Sequence, residues 1–175
     1  MVIQVASSTK TMESKNYRSL ERGKRDEMYT VSIVEPGDRR VQRLKEHLLN
    51  MPALTAQGVV LFEGGRWYDV EAVALLEVFN HAAGMATLAP TNELGAGGPH
   101  LIALWIDPEI SISDRVSYGI SMLRSLAEEA QRRYGATTLT WVTATQTERM
   151  VAREGQAQGI VFIWRDGGGK FAPAW

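Results

Sequence analysis

Leu101-Ile102-Ala103-Leu104-Trp105-Ile106 is an unbroken apolar run, stopped by Asp107-Pro108. A half-exposed strand alternates in polarity, so a run like this reads as a central strand covered on both faces. Beyond it, Val116, Ile120, Leu123, Ala127, Ala130 and Tyr134 recur at helical spacing, and Gly135 follows as a C′ glycine. Leu139 to Val142 is the next strand, with Leu139 and Trp141 on one face.

Reading outward from this centre extends the pattern in both directions. Thr145-Gln146-Thr147-Glu148 has capping-box spacing and opens a short helix expected to stop at Gly155. Ile160 to Trp164 reads as the last strand, before an Asp166-Gly167-Gly168-Gly169 turn and a tail to Trp175. On the N-terminal side, Tyr29 to Val34 alternates as a strand, and Pro36-Gly37 breaks it. Asp38 is placed to cap a helix whose apolar face is Val41, Leu44 and Leu48 and which ends at Met51-Pro52. Leu54 to Trp67 fits helix, strand or loop. Val70 to Phe79 is ambiguous: Ala72, Leu75, Leu76 and Phe79 suit a helical stripe, and the same run suits a buried strand. Gly84 to Pro90 reads as a short strand, and Asn92 to Pro99 as a loop. This order predicts an α/β domain, a mixed sheet of six or seven strands in a three-layer α/β/α arrangement.

Composition narrows the function classes. The chain has 175 residues, enough for one domain or a domain with an appendage. It contains no Cys, which excludes disulfide scaffolds, thiol nucleophiles and iron–sulfur ligation. A net charge of −1 is not that of a general nucleic-acid binder, so a nucleic-acid partner is not expected. No apolar run approaches the ~18 residues of a membrane span, and the first residues lack the basic and apolar regions of a secretory signal. The expectation is a cytoplasmic protein, or a virion-associated one if of phage origin. There is no Gly-x-Ser-x-Gly elbow, Walker loop or His-Glu-x-x-His.

Residues 1–27 read as a polar, flexible arm. From Lys10 to Glu27 they carry six basic and four acidic residues with too little apolar surface to offset ordering. Residues 28–166 form the domain, and 167–175 a Gly-rich turn and tail. Either end would serve as a contact for a protein partner, through 1–27 or 171–175, and a homo-oligomer is a further expectation.

Three passages together resemble the GNAT (GCN5-related N-acetyltransferase) superfamily. YTVSIVEPGDRRVQRLKEHLLNMP (29–52) is similar to its first strand and helix. GMATLAP (84–90) with GGPHLIALWIDPE (97–109) looks like its third and fourth strands. YGISMLRSLAEEAQRRYGATTLTWVT (118–143) resembles its cofactor-side helix and fifth strand. TERMVAREG (147–155) resembles the short helix and glycine before its last strands. The resemblance implies transfer of an acetyl group from acetyl-CoA to an amine. In that family the fourth and fifth strands splay, the pantetheine arm pairs with the exposed edge, and the pyrophosphate lies on backbone N–H groups opening the long helix. It further implies Trp105 and Ile106 on the cofactor edge, and Arg115, Ser117, Tyr118 and Gly119 at the cofactor loop. Glu77 and Glu109 are the carboxylates that would act as base through water. Residues 52–68 would form the acceptor loops.

The sequence departs from the family pattern at its chemistry. Matching Met122-Leu123 to the family's Leu-Leu pair puts the cofactor loop on Asp114 to Gly119, with Asp114 at the Gln/Arg position and Ser117 at the first Gly. Val116 already lies on the helical stripe, so the helix is expected to begin near Asp114 with Ser113 as its cap. Aligning Gly155 puts Val151 where the thiolate-protonating Tyr commonly sits, and the usual Asn falls at Ala144 or Thr145. Beside the acyltransferase there is therefore a second hypothesis, a non-catalytic binding or structural protein on the same scaffold, such as a bacteriophage virion or accessory component. Trp105, Trp141 and Trp164 read as core residues, and His47, His81 and His100 lack metal-ligand spacing.

Overall fold

The computed structural model describes residues 28–50, 69–90 and 98–166. Expectations for 1–27, for the acceptor loops at 52–68, for most of the loop at 92–99 and for the tail at 167–175 lie outside the described residues. The elements are β1 (Tyr29–Val34), α1 (Arg39–Asn50), β2 (Ala72–Val78), β3 (His81–Ala89), β4 (His100–Ile106), α2 (Ile112–Tyr134), β5 (Leu139–Thr143), α3 (Gln146–Ala157) and β6 (Phe162–Asp166). They make an α/β fold with one mixed six-stranded sheet, ordered β1-β2-β3-β4-β5-β6. The first three pairings are antiparallel. The last two are parallel.

α1 covers one face, where Val41, Leu44 and Leu48 pack on Val73, Leu75, Met85, Ala103 and Trp105. α2 and α3 cover the other, with Met122, Leu123, Leu126 and Val151 over Leu76, Leu88, Leu101, Leu104, Trp141 and Trp164. Burial on both sides explains the ambiguous run at Val70 to Phe79. β2 needs apolar side chains in both directions, which erases the alternation that marks a strand.

Several boundaries move from expectation. The expected short strand at Gly84 starts three residues earlier, because β2 and β3 join through a two-residue turn, Phe79-Asn80, with φ of 51° and 64°. Positive φ at both positions is the type I′ geometry that matches strand twist, and it makes His81 a strand residue paired with Val78. The helix expected to stop at Gly155 continues to Ala157. Gly155 packs inside it, 3.0 Å from Leu123 Cδ2 once a Cβ is built, and the left-handed residue that ends the turn is Gly159. The last strand accordingly begins at Phe162, two residues later than expected. The α2 cap is Ser111, not Ser113.

Candidate functional site

β4 and β5 pair only at His100↔Thr140 and Leu101↔Trp141, so beyond Leu101 the sheet opens toward the strands' C-terminal ends. A bulge accompanies the opening. β3 pairs Leu88 with Leu101 and Ala86 with Leu104, so one residue of β3 faces two of β4. The bulge switches the parity of β4: Leu101, Leu104 and Ile106 all lie on the α2 face. It also turns the Leu104 N–H out of the β3 ladder and into the opening.

That N–H is taken by a side chain of the same chain. Glu148, only 2% exposed, accepts from Leu104 N at 3.0 Å through Oε1, and from Ala144 N at 2.6 Å and Thr145 N at 2.8 Å through Oε2. The capping box read from sequence is present, since Glu148 N donates to Thr145 Oγ1 at 3.2 Å. The same carboxylate thus caps α3 and bridges the splayed strands. Burial pushes the carboxyl pKa up, while the N–H groups of Leu104, Thr145 and Ala144 oppose that shift.

The start of α2, where an anion would meet unpaired backbone donors, carries a cap of its own. Asp114 N donates to Ser111 Oγ at 3.2 Å, and the Ser111 hydroxyl donates to Asp114 Oδ2 at 2.8 Å. The anion position therefore holds the chain's own carboxylate and no glycine. The expected loop residues all lie in the helix. Ser117 is exposed on it, and Tyr118 packs its ring, tilted by 41°, 4.5 Å from that of Tyr29. At Gly119 α3 presses close, and an added Cβ would fall 2.4 Å from Val151 Cγ2. Arg115 ties the two helix starts together, donating from NH1 to Thr147 Oγ1 at 3.0 Å. Two of the donors that the resemblance implies for acetyl-CoA, the N–H groups of Leu104 and Asp114, are therefore bonded within the chain.

Of the proposed bases, Glu77 is the next-to-last residue of β2 and accepts from Arg40 Nη1 through Oε2 at 2.9 Å. Glu109 lies exposed in the turn after β4, its N–H donating to Asp107 Oδ1 at 2.9 Å. Both sit at the end of the sheet where β4 and β5 diverge. Trp105 is buried under α1, and Ile106 under α2. Trp141 and Trp164 are core residues on the α2 face, with Trp164 Nε1 donating to Gln156 at 2.9 Å. His100 pairs with Thr140 Oγ1 at 2.8 Å, and burial, aided by the charge of Arg165, lowers its pKa to about 4. Among the described residues no group of His, Asp and Glu is placed to hold a metal ion.

Glu148 is the residue that the sequence reading missed. Its spacing announced a cap, and nothing in one dimension showed the bulge across from it.

No family model and no curated protein matches the chain. Among solved structures, an aminoglycoside acetyltransferase from an uncultured soil metagenomic sample is similar, in complex with trehalose in one case and with sisomicin in the other. Each aligns at 11% identity and a TM-score of 0.48, over 77% of this chain and 89% of that one. Among the described residues no helix is long and apolar enough to cross a membrane.

Proposed function

We propose that this chain is a non-catalytic binding protein built on an acetyltransferase-like scaffold. One observation carries the reading: the Glu148 carboxylate holds the Leu104 N–H inside the opening between β4 and β5. An acyl-CoA arm pairing there would have to take the Leu104 N–H from a buried carboxylate that keeps Ala144 and Thr145 as donors, a cost of about 1–3 kcal/mol. Asp114 at the start of α2 adds repulsion to a pyrophosphate. Contacts would then be made by segments the domain does not need, 1–27 and 171–175, in a virion or accessory role for example.

Calorimetry of the full chain with acetyl-CoA tests this directly. The expected result is no heat at high-micromolar ligand. Saturable binding, with the Leu104 amide resonance shifting on addition, would overturn the reading.

The second reading, acetyl transfer from acetyl-CoA to an amine, is favoured by one feature, the retained opening between β4 and β5. In it Glu77 or Glu109 would accept the amine proton, and Trp105, Ile106, Arg115, Ser117, Tyr118 and Gly119 would border the cofactor.

A further inference from the structure

A groove of about 390 Å³ runs between α1 and the β2–β3 hairpin, on the face opposite α2 and α3. Arg40, Arg43 and His47 reach it from successive turns of α1, and Asn80 and His81 from the hairpin. Its acidic lining residue, Glu77, is already countered by Arg40, whose other nitrogens are bound by Asp38. Arg43 makes no ion pair with a described residue, and His47 and His81 are exposed. Side-chain donors from two separate elements thus converge on one concave space, and its one lining carboxylate is paired with Arg40, which Asp38 shares.

Folding accounts for part of this charge, since Asp38 and Glu77 hold Arg40, and His47 lies in the last turn of α1, where the helix dipole favours a cation. α1 opens with Arg39-Arg40 and has no acid in its first turn, against the preference of the helix dipole for negative charge there. Arg43, on the exposed side, is the cation of the groove that has no ion pair with a described residue. The scaffold holding these groups is well fixed. Leu44 packs under the groove in the α1 core, and the two-residue turn sets His81 as the first residue of β3.

The geometry points to an oxyanion-binding site in this groove, for a small ligand carrying phosphate or carboxylate groups. A guanidinium and two imidazoles are suited to paired oxygens, and a volume of about 390 Å³ admits a compact di- or polyanion. The site is separate from the β4–β5 opening and does not depend on how that opening is used.

The test is a titration of the full chain with inorganic pyrophosphate at constant ionic strength, read from the imidazole resonances. The chain has three His, and His100, bonded to Thr140 between β4 and β5, serves as the internal reference. Saturable shifts of His47 and His81 with His100 unmoved are expected. Arg43→Ala should weaken binding by about tenfold or more, the usual cost of losing a charge-assisted contact. Arg124→Ala, in the separate groove between α2 and α3, should leave it unchanged. A parallel titration with succinate assigns the ligand: tighter binding of pyrophosphate indicates phosphate, and the reverse a dicarboxylate. Shifts that do not saturate, that move all three His together, or that survive Arg43→Ala undiminished would overturn the site.

Discussion

The opening between β4 and β5 and the groove under α1 lie at the same end of the sheet, and they are completed in opposite ways. In the opening, backbone donors from β4 and from the start of α3 converge on one buried carboxylate, so the polar demand is met within the chain. In the groove, cationic side chains converge with one carboxylate that Arg40 already satisfies. A concavity that satisfies itself contributes to stability, and one left with unmatched donors gains by receiving a ligand. The two should therefore respond oppositely to mutation: the first through stability, the second through binding.

Glu148→Ala is expected to show the largest effect. It leaves the N–H groups of Leu104, Ala144 and Thr145 without their acceptor, a loss of about 3–5 kcal/mol in urea unfolding. Glu148→Gln, which keeps one carbonyl acceptor, should lose less. A change within about 0.5 kcal/mol for the alanine variant would mean that the opening is not held by this side chain.

Gly119→Ala comes next. Its Cβ would overlap Val151 Cγ2, and overpacking of this kind costs about 2 kcal/mol. Val151→Ala in the same chain should recover about half of that, measured as a double-mutant coupling.

An acid titration separates the opening's hinge from the surface ion pairs. His100 sits where β4 and β5 still pair, with a folded pKa of about 4, below the ordinary ~6.5 of an unfolded imidazole. The unfolded chain therefore takes up the proton first, and stability falls as pH drops from ~6.5 to ~4, by about 2 kcal/mol after allowing for partial exposure. Glu129, held near 2 by Arg132 and Arg133, loses its contribution in a lower window, from ~4.5 to ~2. In His100→Gln, thermal melts should lose the upper slope and keep the lower one.

The smallest effect belongs to the groove. Arg43→Ala should leave the unfolding free energy in urea within about 0.5 kcal/mol of the parent, since this exposed side chain has no described partner. A larger loss would show that the groove's charges serve the fold rather than a ligand.

Much of the fold was legible in the residues, and the reasons differ by element. β4, α2 and the capping box of α3 were readable because each rests on local spacing: an unbroken apolar run, a 3.6-residue stripe, a Thr and a Glu three apart. β2 was not resolved, because burial on both faces leaves no periodicity. The candidate site was harder. Glu77 and Glu109 do lie at the splayed end, but the reach of Glu148 to Leu104 depends on a bulge created by β3. The pairing of Leu88 with Leu101 and Ala86 with Leu104 is a two-strand fact, invisible along one strand. The end of α3 was misplaced for a similar reason: Gly155 is small because Leu123 needs its space, not because the helix stops there.

The order of strands across the sheet is also the order along the chain. As the polypeptide leaves the ribosome, each strand can therefore meet its neighbour as soon as it emerges, without waiting for a later segment to insert between them. The Phe79-Asn80 hairpin joins β2 and β3 with the shortest loop to close, which makes it the natural seed for that growth. The connection from β1 to β2 and the two crossovers through α2 and α3 demand longer closure. Within β2, β3 and β4 the chain should therefore leave a strand without its neighbour only briefly during synthesis, which limits the exposed edges through which sheet proteins aggregate.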